Sequence, residues 1–288
     1  MCIRDSFLFA RRLQYRELWA ALKAAQLWPL ALVVALQFGS VLGKSIYWTI
    51  ALAPVARLSV WKSFRLTLAS SVASLIAPRG GEAFRVWQLK QQLGVELPYS
   101  LATTGLEKLG DTTALLLLTS PLPWLIPDLP PAAHRALILL PLGLVLFVGA
   151  LVVVAYHPRW GRQPWLVGLS LLRSPRILAV GFFWILAAWL CDLAMFRLVI
   201  FAVGPPVEPG ATLLMMLFIN LAIAVPISPG NAGTQELGGV LALTLTGASP
   251  EAALAVALIH HACQTIPMAL AGALDARALL RGRLRLES

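Results

Sequence analysis

The sequence predicts an all-α, polytopic transmembrane helix bundle with two re-entrant, broken-helix hairpins that form an inverted repeat. Three observations carry this expectation. Of 288 residues, 59% are apolar and only 12% are charged, and the mean hydropathy is +0.79. A soluble domain carries about 25% charge, so a soluble enzyme, a disordered scaffold and a collagen-like rod are all excluded. Five apolar stretches reach the roughly 20 residues needed to cross ~30 Å of hydrocarbon: 28–53, 99–126, 135–156, 176–203 and 253–276. Two further apolar regions are interrupted in the middle by Pro and Gly, which leaves halves too short to span.

In chain order, residues 1–27 form an N-terminal interfacial segment. It holds Arg4, Arg11, Arg12 and Arg16 without a long apolar core, so it does not read as a signal peptide. Residues 7–27 suit an amphipathic helix lying in the membrane interface. The opening Met-Cys-Ile-Arg-Asp-Ser reads as a fragment edge, with a spanning helix expected before it. Residues 28–276 form one transmembrane domain, and 277–288 form a basic cytoplasmic tail.

The first broken region, 64–93, is interrupted at Pro78-Arg79-Gly80-Gly81; the second, 212–247, is interrupted at Pro226-Ile227-Ser228-Pro229-Gly230-Asn231. A broken backbone ladder is tolerated at membrane depth only beside protein or a water-filled cavity. Each region is therefore read as a hairpin beside a polar interior, the alternative being a pair of kinked or short spanning helices. The regions also resemble one another. Glu107 follows Gly94 at an offset of thirteen positions, and His260 follows Gly247 at the same offset. Repeat halves at about 64–126 and 212–276 follow. The tail and the 157–176 connection are rich in Arg, and the connections at 127–134 and 204–210 lack Lys and Arg. With the positive regions in the cytoplasm, the hairpins enter from opposite faces, the arrangement of inverted-repeat transporters. Arg11, Arg12, Arg16 and Lys23 would then lie outside, against the trend.

The net charge of +10 comes from Lys and Arg dispersed between apolar runs. Nucleic acid needs a contiguous basic face, so anionic lipid headgroups are the expected partners. Cys2, Cys191 and Cys263 form neither a disulfide framework nor a zinc spacing. There is no His-Glu-x-x-His and no Gly-Lys-Ser/Thr phosphate loop. Ser228 sits between prolines rather than in a nucleophile elbow. No metal, cofactor or catalytic set is expected, and hence no enzyme.

Charges kept inside apolar stretches cost roughly 2.5–3.5 kcal/mol each and so mark candidate sites. Arg79, Glu82 and Arg85 recur every third residue on one face; the two arginines suit bidentate phosphate contacts, with Glu82 holding them. Gly80 and Gly81 would offer free N–H groups to an anion at a helix N-terminus. Glu107, Lys108 and Asp111 fall inside the third stretch, as a structural network or as a substrate or proton site. Pro229, Gly230 and Glu236 mirror the first break. His260 and His261 are adjacent and cannot chelate one metal from one face; a hydrogen-bonded buried histidine and a proton-sensitive group are both open. Asp192 and Arg197 could pair imperfectly at i,i+5, and Asn220 is the remaining polar residue in these runs.

Three stretches, Pro78-Arg79-Gly80-Gly81-Glu82-Ala83-Phe84-Arg85, Glu107-Lys108-Leu109-Gly110-Asp111 and Pro226-Ile227-Ser228-Pro229-Gly230-Asn231-Ala232-Gly233-Thr234-Gln235-Glu236, resemble signatures of the flippase-like family. That family is named for the transmembrane region of lysylphosphatidylglycerol synthases. The resemblance runs from about Phe7 to Leu280. It differs at Lys108, where Arg is commoner, at Asn231, where Gly is commoner, and at His261, a position often held by Arg. It implies a bacterial or archaeal inner-membrane protein that moves a phosphate-bearing, aminoacylated lipid between leaflets, with a lipid synthase or glycosyltransferase as candidate partner. The alternatives are a non-transporting subunit that recruits or regulates such an enzyme, and a small-solute or ion transporter.

Overall fold

The computed structural model describes residues 14–126, 131–157, 171–225, 227–281 and 286, and every element among them is helical. Expectations that fall on 1–13, 127–130, 158–170, Pro226, Arg283 and Arg285 lie outside the described residues. The elements are α1 (Tyr15–Ala24), α2 (Leu27–Leu52), α3 (Val60–Ile76), α4 (Gly80–Leu93), α5 (Leu97–Thr119), α6 (Pro131–Tyr156), α7 (Pro175–Val203), α8 (Ala211–Ala224), α9 (Thr234–Leu245) and α10 (Pro250–Leu280).

Four helical segments are long and apolar enough to cross a membrane: Leu27–Leu52, Leu137–Tyr156, Pro175–Val203 and Pro250–Leu280. They match four of the five expected spans. The fifth, expected over 99–126, falls on α5, a 23-residue helix whose first turn holds Tyr99, bonded to Ala51 O, and which leads to Ile126 beside Gly210; it is less apolar than the other four. Helix α5 ends at Thr119, ahead of Pro121 and of a separate short turn (Leu122–Leu125) that Pro121 caps and that contains Pro123, because Pro supplies no N–H and crowds the preceding turn. It also carries three charged residues at its centre. Helix α6 turns Ile138, Leu142, Leu146 and Val153 outward, a surface that water would penalise and lipid would not.

The two breaks have the same local cause. A residue preceding proline is pushed from helical to extended backbone. Ala77, before Pro78, is extended at φ −140° and ψ 142°, and Val225, before Pro226, lies at φ −93° and ψ 106°. After each break the chain folds back. A Cβ on Gly81 would overlap Ser70 and Ser74 of α3, and one on Gly238 would meet the Phe218 carbonyl of α8. Helices α3 and α4, like α8 and α9, therefore form close antiparallel pairs. Gly81→Ala is expected to destabilise the detergent-solubilised protein by about 1–3 kcal/mol, as for overpacking generally, read as a lowered thermal midpoint.

The ends are secured by capping. The Ser59 hydroxyl accepts from Lys62 N at 3.3 Å and the Ser249 hydroxyl from Ala252 N at 3.2 Å. Gly94 closes α4 in the left-handed region, its N–H directed at the Leu89 and Lys90 carbonyls.

Helix termini gather in two groups. In one, Gln26 N donates to Ala202 O, Glu208 N to Thr246 O and Gln14 N to Glu251 Oε1. In the other, the Tyr99 hydroxyl donates to Ala51 O, Arg173 Nε to Ala155 O and Leu286 N to Gln92 Oε1. The α8–α9 pair opens toward the first group and the α3–α4 pair toward the second. Helices α2 and α7 are brought together by Gly39 and Gly43, which face Cys191, Ala188 and the Trp184 carbonyl, a small-residue seam of the kind that lets membrane helices approach. Helix α1 buries none of its residues and exposes Tyr15 and Trp19.

Candidate functional site

A cavity of about 580 Å³ lies where the two breaks converge, lined by Pro78, Arg79 and Glu82 from the first and Ser228 and Asn231 from the second. A Cβ on Gly230 would come within 3.0 Å of Leu75 Cδ2, so the second break lies against the end of α3. The walls include Lys44, Lys108, Asp111, Asp192, Asn220 and Gln264. Three cationic lining residues (Lys44, Arg79, Lys108) thus face three acidic ones (Glu82, Asp111, Asp192), and the chamber is close to neutral.

The α5 charges are partnered from several helices. Glu107 accepts from the Trp48 indole Nε1 of α2 at 2.9 Å and from Arg85 of α4 at 3.3 Å. The Arg85 guanidinium also lies 4.8 Å from the Trp48 ring centroid. Asp111 accepts from Trp189 Nε1 of α7 at 2.8 Å and pairs with Lys44 of α2 at 3.2 Å. Lys108 bridges Glu82 at 3.1 Å and reaches Asp111 at 4.0 Å. These links tie α2, α4, α5 and α7 together, and four of their charged members, Lys44, Glu82, Lys108 and Asp111, line the cavity beside Arg79.

Several expectations change on this geometry. Arg79 and Arg85 do not share a face: Arg79 has left-handed backbone at φ 57° ahead of α4 and lines the cavity, whereas Arg85 is turned inward onto Glu107. Glu82 pairs with Lys108 rather than with either arginine. Gly80 and Gly81 do not present free N–H groups, because Gly80 N donates to Ala77 O and Gly81 N to the Ser74 hydroxyl; these glycines serve the close approach of α4 to α3. Asp192 and Arg197 form no ion pair among the described residues: Arg197 is exposed, and Asp192 lines the cavity with Lys44.

At the second break, Pro229 starts a short 3₁₀ turn, and Gly230 and Asn231 both have φ of 60°. The Ser228 hydroxyl donates to Ala232 O at 2.8 Å. Glu236 supplies half of a capping box by accepting from Gly233 N at 2.7 Å; glycine has no side chain for the other half. His261 spans the break, with Nδ1 2.5 Å from Glu236 Oε1 and Nε2 3.0 Å from Gly230 O. His260 is buried, stacked on Phe196 at 4.3 Å and bonded to Gln235 Nε2 at 3.1 Å. Gln235 also donates to Gln264.

Lys44, Trp48, Trp189 and Asp192 complete the network, and Lys44, Trp48 and Trp189 escaped the sequence reading. Lys44 is the one charged residue of the 28–53 stretch, and the cost of charge at membrane depth was the signal that could have found it. The tryptophans gave no signal, since an indole N–H in an apolar run looks like packing until its acceptor is seen.

Long apolar helices, outward-facing aliphatic residues and a polar interior define a multi-pass membrane protein. The model of the lysylphosphatidylglycerol synthase transmembrane region matches residues 6–272, and the chain belongs to that family. No curated protein matches it.

Proposed function

We propose that the protein is a lipid translocator that passes a phosphate-bearing headgroup through the cavity while the acyl tails remain in hydrocarbon. The chamber shared by the two breaks, with its balanced cations and carboxylates, carries this reading. Its volume falls in the range of small-molecule sites, about 300–1,000 Å³, enough for a headgroup and not for two acyl chains. Transferring a bare charge into hydrocarbon is prohibitive, and fixed counter-charges at the midpoint offset that cost.

On this reading the α3–α4 and α8–α9 pairs are re-entrant hairpins that enter from opposite faces and form an inverted repeat. The repeat halves are 64–126 and 212–276 within a single domain, 28–276. Arg79 and Lys108 hold the phosphate, and Lys44 adds positive potential behind them. Glu82, Asp111 and Asp192 receive the ammonium of an aminoacylated headgroup. Arg85 and Glu107 position α4 against α5, while Gly80, Gly81, Pro229, Gly230, Glu236 and His261 shape the breaks. Residues 14–27 lie in the outer interface, and the C-terminal end of α10 faces the cytoplasm of a bacterial or archaeal cell beneath its inner membrane. The protein performs no chemistry on its cargo and needs no cofactor; a lipid synthase or glycosyltransferase supplies it.

The test is a leaflet-resolved assay in proteoliposomes with fluorescently labelled phosphatidylglycerol. Arg79→Ala with Lys108→Ala should slow translocation at least about tenfold, equivalent to ~1.4 kcal/mol of lost stabilisation, with helix content unchanged. Equal rates for the double variant and the parent reject the assignment.

A further inference from the structure

We propose that His261 and Glu236 form a proton-binding site that fastens the second break, so that movement of the break requires the loss of one proton. The use of that movement in transport rests on the translocator reading; the proton site stands on its own contacts.

Both ring nitrogens face acceptors. Nε2 lies 3.0 Å from the Gly230 carbonyl and Nδ1 2.5 Å from the Glu236 carboxylate. A carbonyl oxygen cannot donate, so Nε2 carries a hydrogen. The second contact also needs one, whether it sits on the ring or on the carboxyl. The pair therefore holds one proton more than a neutral histidine beside an ionised glutamate, and that proton belongs to the pair rather than to either partner. With it the pair has no net charge. Without it, a bare nitrogen lone pair faces an oxygen and the pair carries one negative charge inside the bundle.

The proton is placed where its loss would matter mechanically. One Glu236 oxygen accepts from Gly233 N, at the start of α9, and the other meets the ring on α10. Through Nε2 the same ring reaches Gly230, which sits on Leu75 at the end of α3. Loss of the proton to water, to which both side chains are partly exposed, breaks a single N–H or O–H bond and releases the carboxylate from the ring. Gly230, Asn231 and Gly233 then supply left-handed backbone already poised for rearrangement.

The surroundings single out this pair. Helix α9 offers Glu236 and the uncharged Gln235, and α10 itself offers His260, held by Gln235 and Phe196. Helix α3 contributes the serines Ser71 and Ser74, and the 3₁₀ turn has no ionisable side chain. Asp192 of α7 and Lys44 of α2 line the cavity.

The test uses the full chain with its three cysteines replaced by serine and Ser228→Cys added, reconstituted in phosphatidylcholine–phosphatidylglycerol vesicles. Labelling by a charged methanethiosulfonate is followed from roughly pH 5 to 9, which brackets the range of about 5 to 8 in which histidine changes charge, and normalised to a free thiol. The normalised rate should rise several-fold with one-proton steepness. In His261→Gln and in Glu236→Gln it should be independent of pH. A flat profile in the parent, or titration that survives in both variants, overturns the proposal. Ring ¹⁵N shifts of His261 give a check free of substitutions in the pair: a neutral ring beside an ionised carboxylate at low pH also overturns it. Labelled-lipid movement is measured in the same vesicles. Titration at position 228 without lipid movement removes the translocator reading and leaves the proton site; lipid movement with a flat profile does the reverse.

Discussion

Glu107→Ala is expected to destabilise the protein by about 3–5 kcal/mol, the usual result of removing one partner from a buried ion pair. The Glu107 side chain is 5% exposed and that of Arg85 13%, so water cannot replace the lost carboxylate. Two donors depend on this position. The Trp48 indole and Arg85 NH1 would lose their acceptor, and Arg85 Nε already has no partner. Thermal unfolding in detergent, followed by circular dichroism, measures the effect. Two comparisons isolate its origin. Glu107→Gln keeps an acceptor for Trp48 while losing the charge and should fall between parent and alanine variant. The double variant Arg85→Met, Glu107→Leu removes both charges and should be more stable than Glu107→Ala alone, because an apolar pair carries no unpaired ion. If double and single variants unfold together, Arg85 and Glu107 are not energetically coupled.

The second large effect is expected at Gly272. Helices α3 and α10 meet along a seam in which Arg65 Nε donates to Asp275 Oδ1 at 2.7 Å and the Ser71 hydroxyl to Met268 O at 3.3 Å. Gly272 lies between these two contacts, and a Cβ there would overlap the Leu68 carbonyl. That atom belongs to a backbone rather than to a flexible side chain, so the helices themselves must separate. Gly272→Ala should cost about 1–3 kcal/mol as overpacking, and Gly272→Val more. Separation would lengthen both flanking hydrogen bonds, so the loss should not add simply to that of Asp275→Asn. An unchanged unfolding midpoint for Gly272→Val would mean that this seam does not support the fold.

Sequence made the helices and their interruptions legible for a physical reason. Apolar length reports spanning potential directly, and Pro78 and Pro226 act on the residue immediately before them. Both effects are local. Partnership is not local. Arg79, Glu82 and Arg85 looked like one face because their spacing suits a helix, but Arg79 lies outside the helix in left-handed backbone, and the face dissolves. Asp192 and Arg197 looked like partners because they are neighbours in sequence, while Lys44, distant in sequence, shares the cavity with Asp192. Glycines were ambiguous in the same way: a turn, an anion cradle and a close helix contact all favour glycine, and only the neighbouring helix distinguishes them.

The fold-back contacts at Gly81 and Gly238 constrain how the molecule can change shape. With each short helix locked to its predecessor through backbone, neither pair can splay open like scissors without creating a void. Any swing is that of a stiff lever about the connections at 53–59 and 94–96 for one pair and 204–210 and 246–249 for the other, and the first lever carries α10 with it through the Gly272 seam. Spectroscopic probes placed within a lever should keep a fixed separation through any working cycle, and all the change should fall between the two levers.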